Sequence, residues 1–530
     1  MSKQQVTVSW RQRIARWLAP AAPRRAVRSY GGARSTLTTG GFGASSTSAD
    51  AELTTSLASL RSRSRQMVRD SAYAKRARDI VVNNVIGSGV GMQAQVMTTR
   101  EALAARVNDS IEQAWERWCQ ADHCHTGGAL HFSDLERAAM GEVFEAGEVL
   151  LRVHPRRFGR SGIPLALELV EAERVVTENA HSGVLAPGHE LRMGVEVDAY
   201  QRPVAYWLRQ RHSADIRLNV VGLADRIERV PAEQIFHLRV VTRWPQTRGE
   251  PWMHAVVRKL DDLNEYSQHE VTAARASAAY FATIETPEGD SPVADGEGDD
   301  GRQFMDVEPL TIQQLAPGEE LKFHAPNRPN TALDGFLRAM LREVAAGTGT
   351  SYASLSCDYS QSNYSSSRLA LMDDRDSYKA LQQWWIRSFR LPLHRLWLQQ
   401  AVLAGAVSGV PLEAYASDLQ RYEAVRFKPR GWSWIDPTKE VDAARNAIRA
   451  GLTTLTDVIA QTADGRDIED VIATRKRELQ LLDEAGIEVD TLVVEPASPD
   501  QPTADVTAAD NAPNDGADAA RVFALRRGKP

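Results

Sequence analysis

Apolar positions between residues 51 and 85 recur at intervals of three and four: Leu53, Leu57, Leu60, Met67, Val68, Ala72, Ala77, Ile80, Val81 and Val85. That spacing predicts an amphipathic helix, broken near Asp70-Ser71. Gly87, Gly89 and Gly91 end it, and Met92–Val96 reads as a strand. A helix over Ile111–Cys119 places Trp115 and Trp118 on one face. Another is expected over Phe132–Ala146. The period then shortens toward two. Val149–His154, Ala166–Val170, Leu191–Val197, Ala205–Arg209 and Gln234–Val241 read as strands separated by turn residues. Tyr200-Gln201-Arg202-Pro203 supplies one hairpin turn.

Helical spacing returns after Pro251, a residue tolerated at a helix start, and runs over Trp252–Tyr280. Residues 285–301 (ETPEGDSPVADGEGDDG) form an acidic, Gly/Pro-rich excursion of the kind that resists packing. Short β-like pieces follow at Phe304–Val307 and Glu320–His324, then a helix over Thr331–Ala346. A Ser/Tyr/Asn-rich loop over 347–366 leads into a long helix that opens within residues 363–375 and runs through Trp384 and Trp385 to about Leu403. Residues 411–437 are irregular and aromatic, with Tyr415, Tyr422, Phe427, Trp432 and Trp434. Pro437–Ala485 is helical with breaks at Gly451 and Gly465. The terminal stretches differ in kind. Residues 1–50 carry Arg11, Arg13, Arg16, Arg24, Arg25 and Arg28 with no acid before Asp50, a flexible basic arm. Residues 491–530 are Asp/Ala/Pro-rich with a basic end, a disordered tail. The fold class expected is α+β.

A chain of 530 residues exceeds one simple core, so more than one packing unit is expected. The net charge of −6 argues against a protein that grips nucleic acid over its whole surface. Cys119, Cys124 and Cys357 are too few and odd in number for a disulfide framework. No apolar run reaches the length of a membrane span.

Candidate chemistry is sparse. Gly87-Ser-Gly-Val-Gly follows a helix and lacks the spacing of a dinucleotide loop, and no phosphate-cradling loop with its lysine occurs. The chain therefore does not hydrolyse ATP by that route. Cys119, His123, Cys124 and His125 crowd together, but no second pair completes a zinc set. Asp261-Asp262, Asp299-Asp300 and Asp373-Asp374 are sequence neighbours, which do not converge on a helix; they read as solvated faces. No catalytic residue, metal or cofactor is assigned. Helical Trp384, Trp385 and Trp397 read as core or interface.

Several blocks resemble the lambda-like portal family of bacteriophages, in family order: residues 64–75 (SRQMVRDSAYAK) with 80–94 (IVVNNVIGSGVGMQA); 115–118 (WERW) with the Phe132–Gly147 helix and Gly147-Glu148; His237–Val241 with 246–252 (QTRGEPW); 363–368 (NYSSSR); and 434–440 (WIDPTKE) with Ala444–Leu455. They span roughly residues 50–490. The resemblance implies a portal-protein fold: α+β wing over 51–250, first stem helix 251–280, small α/β clip 281–328, second stem helix 329–346, tunnel loop 347–366, tunnel helix and return to the wing 367–436, and helical crown 437–490.

That resemblance further implies a homo-oligomeric ring, twelve-fold, at one capsid vertex of a virion assembled in the host bacterial cytoplasm. Double-stranded viral DNA would pass through it during packaging and ejection. Its partners would be the terminase large subunit, head-completion and tail-connector proteins and the major capsid protein, with no membrane. Ser351, Tyr352, Ser360, Asn363, Tyr364, Ser365, Ser366 and Arg368 would line the channel. Asp290, Asp295, Asp299 and Asp300 of the clip would serve docking. Two other classes stay open on residues alone: a DNA-processing enzyme of the packaging apparatus, and a capsid or tail protein without DNA contact.

Overall fold

The computed structural model describes residues 46–98, 104–177, 185–212, 226–279, 282–285, 296–297, 303–304, 320–323, 333–360, 364–432, 437–461, 467–484 and 486. The chain divides into a unit ending at Asp467 and a second beginning at Ile468.

Ser48 accepts from the Ala51 amide and caps α1 (Ala49–Asp70), as N-cap serines do. The helix thus starts two residues inside the stretch expected to be arm. Ser71 is extended and breaks α1 from α2 (Ala72–Val85). The buried face of α1 is Ala49, Leu53, Leu57, Arg61, Ser64 and Met67. An arginine and a serine therefore continue the apolar stripe.

Strand β1 (Gly91–Ala94) follows, then α3 (Ala105–Trp118) and α4 (Phe132–Ala146). α3 starts six residues before the expected Ile111. Gly147 ends α4 at φ +87°, a conformation that glycine adopts without steric cost. It turns the chain into β2 (Glu148–His154), which lies between β3 (Ala166–Val170) and β8 (Ile235–Arg239) in an antiparallel three-stranded sheet. Leu150 of β2 faces Val170 and His237.

A second antiparallel sheet takes β4 (Glu190–Arg192), β5 (Val195–Val197), β6 (Pro203–Arg209) and β7 (Ile227–Pro231) in order. The single strand expected over Leu191–Val197 is a tight hairpin, because Gly194 (φ +84°) reverses the chain within it. β7 has no counterpart in the sequence reading. Gln201, at φ +65°, turns between β5 and β6 as expected.

α5 (Val257–Ala279) leaves this region, and the short strands β9 (Ala282–Glu285) and β12 (Glu320–Phe323) pair beyond it, as do β10 (Gly296–Glu297) and β11 (Gln303–Phe304). α6 (Leu333–Thr348) returns antiparallel to α5: Tyr266 meets Phe336 at 4.8 Å between ring centroids, and Lys259 meets Glu343 at 3.7 Å. One turn of helix, α7 (Tyr352–Ser356), precedes α8 (Tyr364–Trp385). α8 passes through a π-helical turn, Ile386–Arg390, straight into α9 (Leu391–Leu403). The stretch read as irregular contains β13 (Val425–Lys428), which pairs antiparallel with β1. α10 (Pro437–Arg449) and α11 (Leu455–Gln461) end the first unit, and Gly451 (φ +71°) lies between them.

The main core joins α2, α3, α4, one face of the first sheet and α9. Trp118, Trp385, Trp397, Phe144 and Phe389 are fully buried in it. The helical tryptophans are thus core, as their spacing predicts; Trp384 packs against the edge of that core. Leu150 and Val170 join Tyr206 and Val230 in a smaller core against the second sheet. The second unit shows one described helix of length, α12 (Ile468–Glu484), mostly exposed.

Candidate functional site

Glu148 is the first residue after Gly147 and is wholly buried. One carboxylate oxygen accepts from Arg61 Nη2 (2.5 Å) and Arg248 Nε (2.6 Å); the other accepts from His237 Nε2 (2.8 Å) and the Gly249 amide (2.6 Å). The guanidiniums are used further. Arg61 Nε donates to the Ala146 carbonyl, and Arg248 donates to those of Met193 and Ala172. Two of the sequence blocks, those around residues 147 and 237–252, therefore converge on one carboxylate with Arg61, which stands three residues before a third.

Burial works against the Glu148 charge, yet Arg248 and Arg61 outweigh it and hold its carboxyl well below the usual range. Desolvation in turn lowers Arg61 to about 10. His237 is lowered to about 4, first by burial and then by Arg239. Its Nδ1 lies 3.0 Å from Arg239 Nη1, so the neutral ring accepts there and donates from Nε2 to Glu148. Every lone pair of Glu148 that points inward has a donor, which is the condition for keeping a charge in an apolar interior.

A second buried charge sits at the π turn. Glu136 of α4 accepts from Trp385 Nε1 (3.0 Å) and lies 3.7 Å from Arg390 Nε. The Arg390 guanidinium is fully buried between the rings of Trp115, Phe132 and Phe427, at 4.8, 4.9 and 5.2 Å. Its Nη2 donates to the Val90 carbonyl. Burial raises the Glu136 pKa despite Arg390. This lock fastens α8–α9 to α4 and to the turn before β1.

The polar segment expected to be functional is braced from three sides. Gly349 (φ +68°) turns the chain after α6. The Thr350 amide donates to Ala345, and the Ser351 and Ser354 hydroxyls lie 2.8 Å apart. Tyr352 donates to Asp358 Oδ2 (2.9 Å), and Arg342 of α6 lies over its ring. Asp358 Oδ1 accepts from the Ser360 amide (3.0 Å) and hydroxyl (2.6 Å). These Ser360 bonds, with Tyr352, hold Asp358 down at about 2. Arg76 of α2 donates to the Ser354 carbonyl, and Asp374 of α8 is held by Ser351.

Ser351 and Tyr352 are half-buried and committed within the turn, while Ser360 is exposed beside Tyr359. Tyr364, Ser365 and Ser366 occupy the first turn of α8, not the loop, because the helix starts at Tyr364. Arg368 lies 3.8 Å from Glu440 of α10. Asn363 and the acidic residues Asp290, Asp295, Asp299 and Asp300 fall outside the described residues. Asp374 corrects the reading of Asp373-Asp374 as solvated: it is half-buried, and burial raises its pKa. Cys119 and Cys124 are buried, the latter thiol donating to the Cys119 carbonyl. Among the described residues, no group of three or more His, Cys, Asp or Glu is arranged to hold a metal ion.

Sequence reasoning missed Arg61, Glu136 and Arg390. The signal for Arg61 was present: it stands four residues after Leu57 in the buried stripe. Arg390 had no such signal, since its inward turn depends on the π segment.

Glu148, Arg61, Arg248, Glu136 and Arg390 all hold framework. Residues 35–382 match the family model described as phage portal protein, lambda family, and the chain belongs to that family. It is 29% identical over 439 residues to a probable portal protein of Halomonas phage phiHAP-1, covering 81% of each chain. It is 22% identical over 490 residues to the portal protein of Escherichia phage N15, covering 84% of this chain and 90% of that one. Portal protein B of Escherichia phage lambda is 21% identical over 484 residues, covering 83% and 87%. Among solved structures, a chain of a native gene transfer agent virion overlaps 76% of this chain and 92% of its own, at 14% identity and a TM-score of 0.39.

Proposed function

We propose that this portal subunit closes into a twelve-copy ring at one capsid vertex, with double-stranded DNA passing through its centre. The wing is the α+β region 51–250, joined by the return strand β13. α5 and α6 form the stem, residues 281–328 the clip, 347–366 with the first turn of α8 the channel constriction, and α10 to α12 the crown. No catalytic step is assigned to the chain. Terminase docks first, then the head-completion and connector proteins, in a virion assembled in the host cytoplasm.

The observation that carries this reading is the braced polar turn between α6 and α8. It presents Ser360 and Tyr359 to solvent without an exposed basic side chain among residues 349–360. Neutral hydroxyls touch phosphate without the counterion release that makes basic contacts strong, so a sliding polymer is not held. Leu369, Leu371 and Met372 on the next turns of α8 are exposed on the single chain; a neighbouring subunit would cover them. Patches of this kind mark association surfaces.

The test is electron microscopy of the full-length chain from assembled particles, with mass by light scattering. A ring with a central hole at twelve times 58.5 kDa supports the reading. A compact dimer that cuts or modifies DNA overturns it.

A further inference from the structure

We propose that the hairpin loop between β2 and β3 is a phosphate-backbone contact for duplex DNA, separate from the 347–366 turn. The loop carries Arg156, Arg157 and Arg160 within five residues, all exposed. Many of the other wing arginines are occupied, and the unpaired ones are scattered along the sequence, whereas these three stand within one loop. Arg61, Arg65, Arg78, Arg152, Arg174 and Arg229 each meet a carboxylate. The three loop guanidiniums have no acidic partner among the described residues. In a chain of net charge −6 this is a local basic spot, not an overflow of charge.

The loop is held, so the three charges are displayed at little ordering cost. Gly159, at φ +58°, packs so closely on Asp122 and His123 that a Cβ there would overlap them. Ile163 and Leu165 are buried beyond it, and the Leu165 carbonyl accepts from Trp118 Nε1 at 2.8 Å. Asp122, the acid beside Gly159, lies 3.5 Å from His123.

The chemistry favours a phosphodiester over an acidic peptide. Peptide and protein interfaces are anchored by buried apolar side chains within a polar rim. No large hydrophobic residue is exposed between Met97 and Tyr200 among the described residues, and Phe158 is half-buried. A polyanionic backbone needs charge and guanidinium forks alone. The inference does not rest on the channel assignment, because the loop is built from other elements.

Binding of the full-length chain to a labelled duplex of about 30 base pairs, followed by anisotropy across a salt series, tests it. R156A/R157A/R160A should bind at least tenfold more weakly at low salt. Its slope of log affinity against log salt should shrink by about 0.9 for each phosphate left without its guanidinium, roughly two to three in all. A control removing three exposed helical arginines, R445A/R449A/R477A, should keep the wild-type slope. No measurable wild-type binding, an unchanged slope in the loop variant, or an equal loss in the control overturns the proposal. Competition by polyglutamate equal to that by unlabelled DNA overturns it in favour of an acidic peptide. Near-ultraviolet circular dichroism of both variants establishes that they are folded.

Discussion

Trp385 and Arg390, five residues apart on one unbroken helix, approach the same oxygen of Glu136, at 3.0 and 3.7 Å. In a regular α-helix five residues advance about 140° beyond a full turn, which sends the two side chains to different faces. The π turn at Ile386–Arg390 holds more residues per turn and brings them toward one face. The irregularity thus has a local purpose: it lets the helix that follows the polar turn fasten to α4 by a buried charge.

Removing one side of that lock should be worse than removing both. Glu136→Leu leaves Arg390 buried with its ring contacts and the Val90 carbonyl but no counter-charge, and Arg390→Met leaves a buried carboxylate. Each should cost about 3–5 kcal/mol, and the double variant E136L/R390M should recover a large part of the loss. Urea unfolding of the four proteins measures the coupling; strictly additive losses would refute it.

The Glu148 cluster should behave likewise, with a backbone component. Arg248→Met removes two carbonyl bonds as well as an ion pair, and about 3–5 kcal/mol should be lost. Gly249→Ala places a Cβ against the Gly147 carbonyl and carbon and should cost about 1–3 kcal/mol by overpacking. Thermal melting of each variant reads both effects.

Acid should destabilise the chain in a window set by two histidines. His237 and His394 are lowered to about 4 and about 3 by burial, with Arg239 and Arg390 adding to it. The unfolded chain binds these protons near pH 6.5 and the folded chain resists them. Between those values the unfolded state holds more protons, so stability rises with pH and falls as pH drops from about 6.5 toward 4. Neither ring nitrogen of His394 has a partner, so His394→Phe should fold and flatten part of that slope. A melting-temperature series from pH 7 to pH 4 in both proteins tests this.

Asp358 organises the polar turn from a half-buried position whose partners are almost all within the turn, so its loss should loosen the turn more than it unfolds the chain. Asp358→Asn weakens the bonds to Ser360 and Tyr352 and the approach of Arg338 at 3.7 Å. Global stability should change little. Amide exchange across residues 351–360 should rise several-fold, which mass spectrometry of the peptide resolves.

Much of the order of elements was legible in residue spacing. The Phe132–Ala146 helix, the Ala166–Val170 strand and the break at Ser71 follow from apolar period and capping, which are local properties. The Leu191–Val197 hairpin was not, because its strands of three residues are shorter than the window in which a period of two can be recognised, and β7 was not, because its apolar residues Ile227 and Val230 stand three apart instead of two. β13 was hidden among aromatic residues, since its partner β1 lies over 300 positions earlier.

By itself, then, the sequence determined the helices, the α+β class, the polar turn and its place before the long helix, because these depend on neighbours within a few residues. The family blocks were visible there too, but not the reason for their spacing. The tertiary structure alone decided that Arg61, Gly147-Glu148, His237 and Arg248 meet, and that Arg390 faces inward. A buried ion is stable when donors from distant segments surround it, and no local pattern encodes which segments those are.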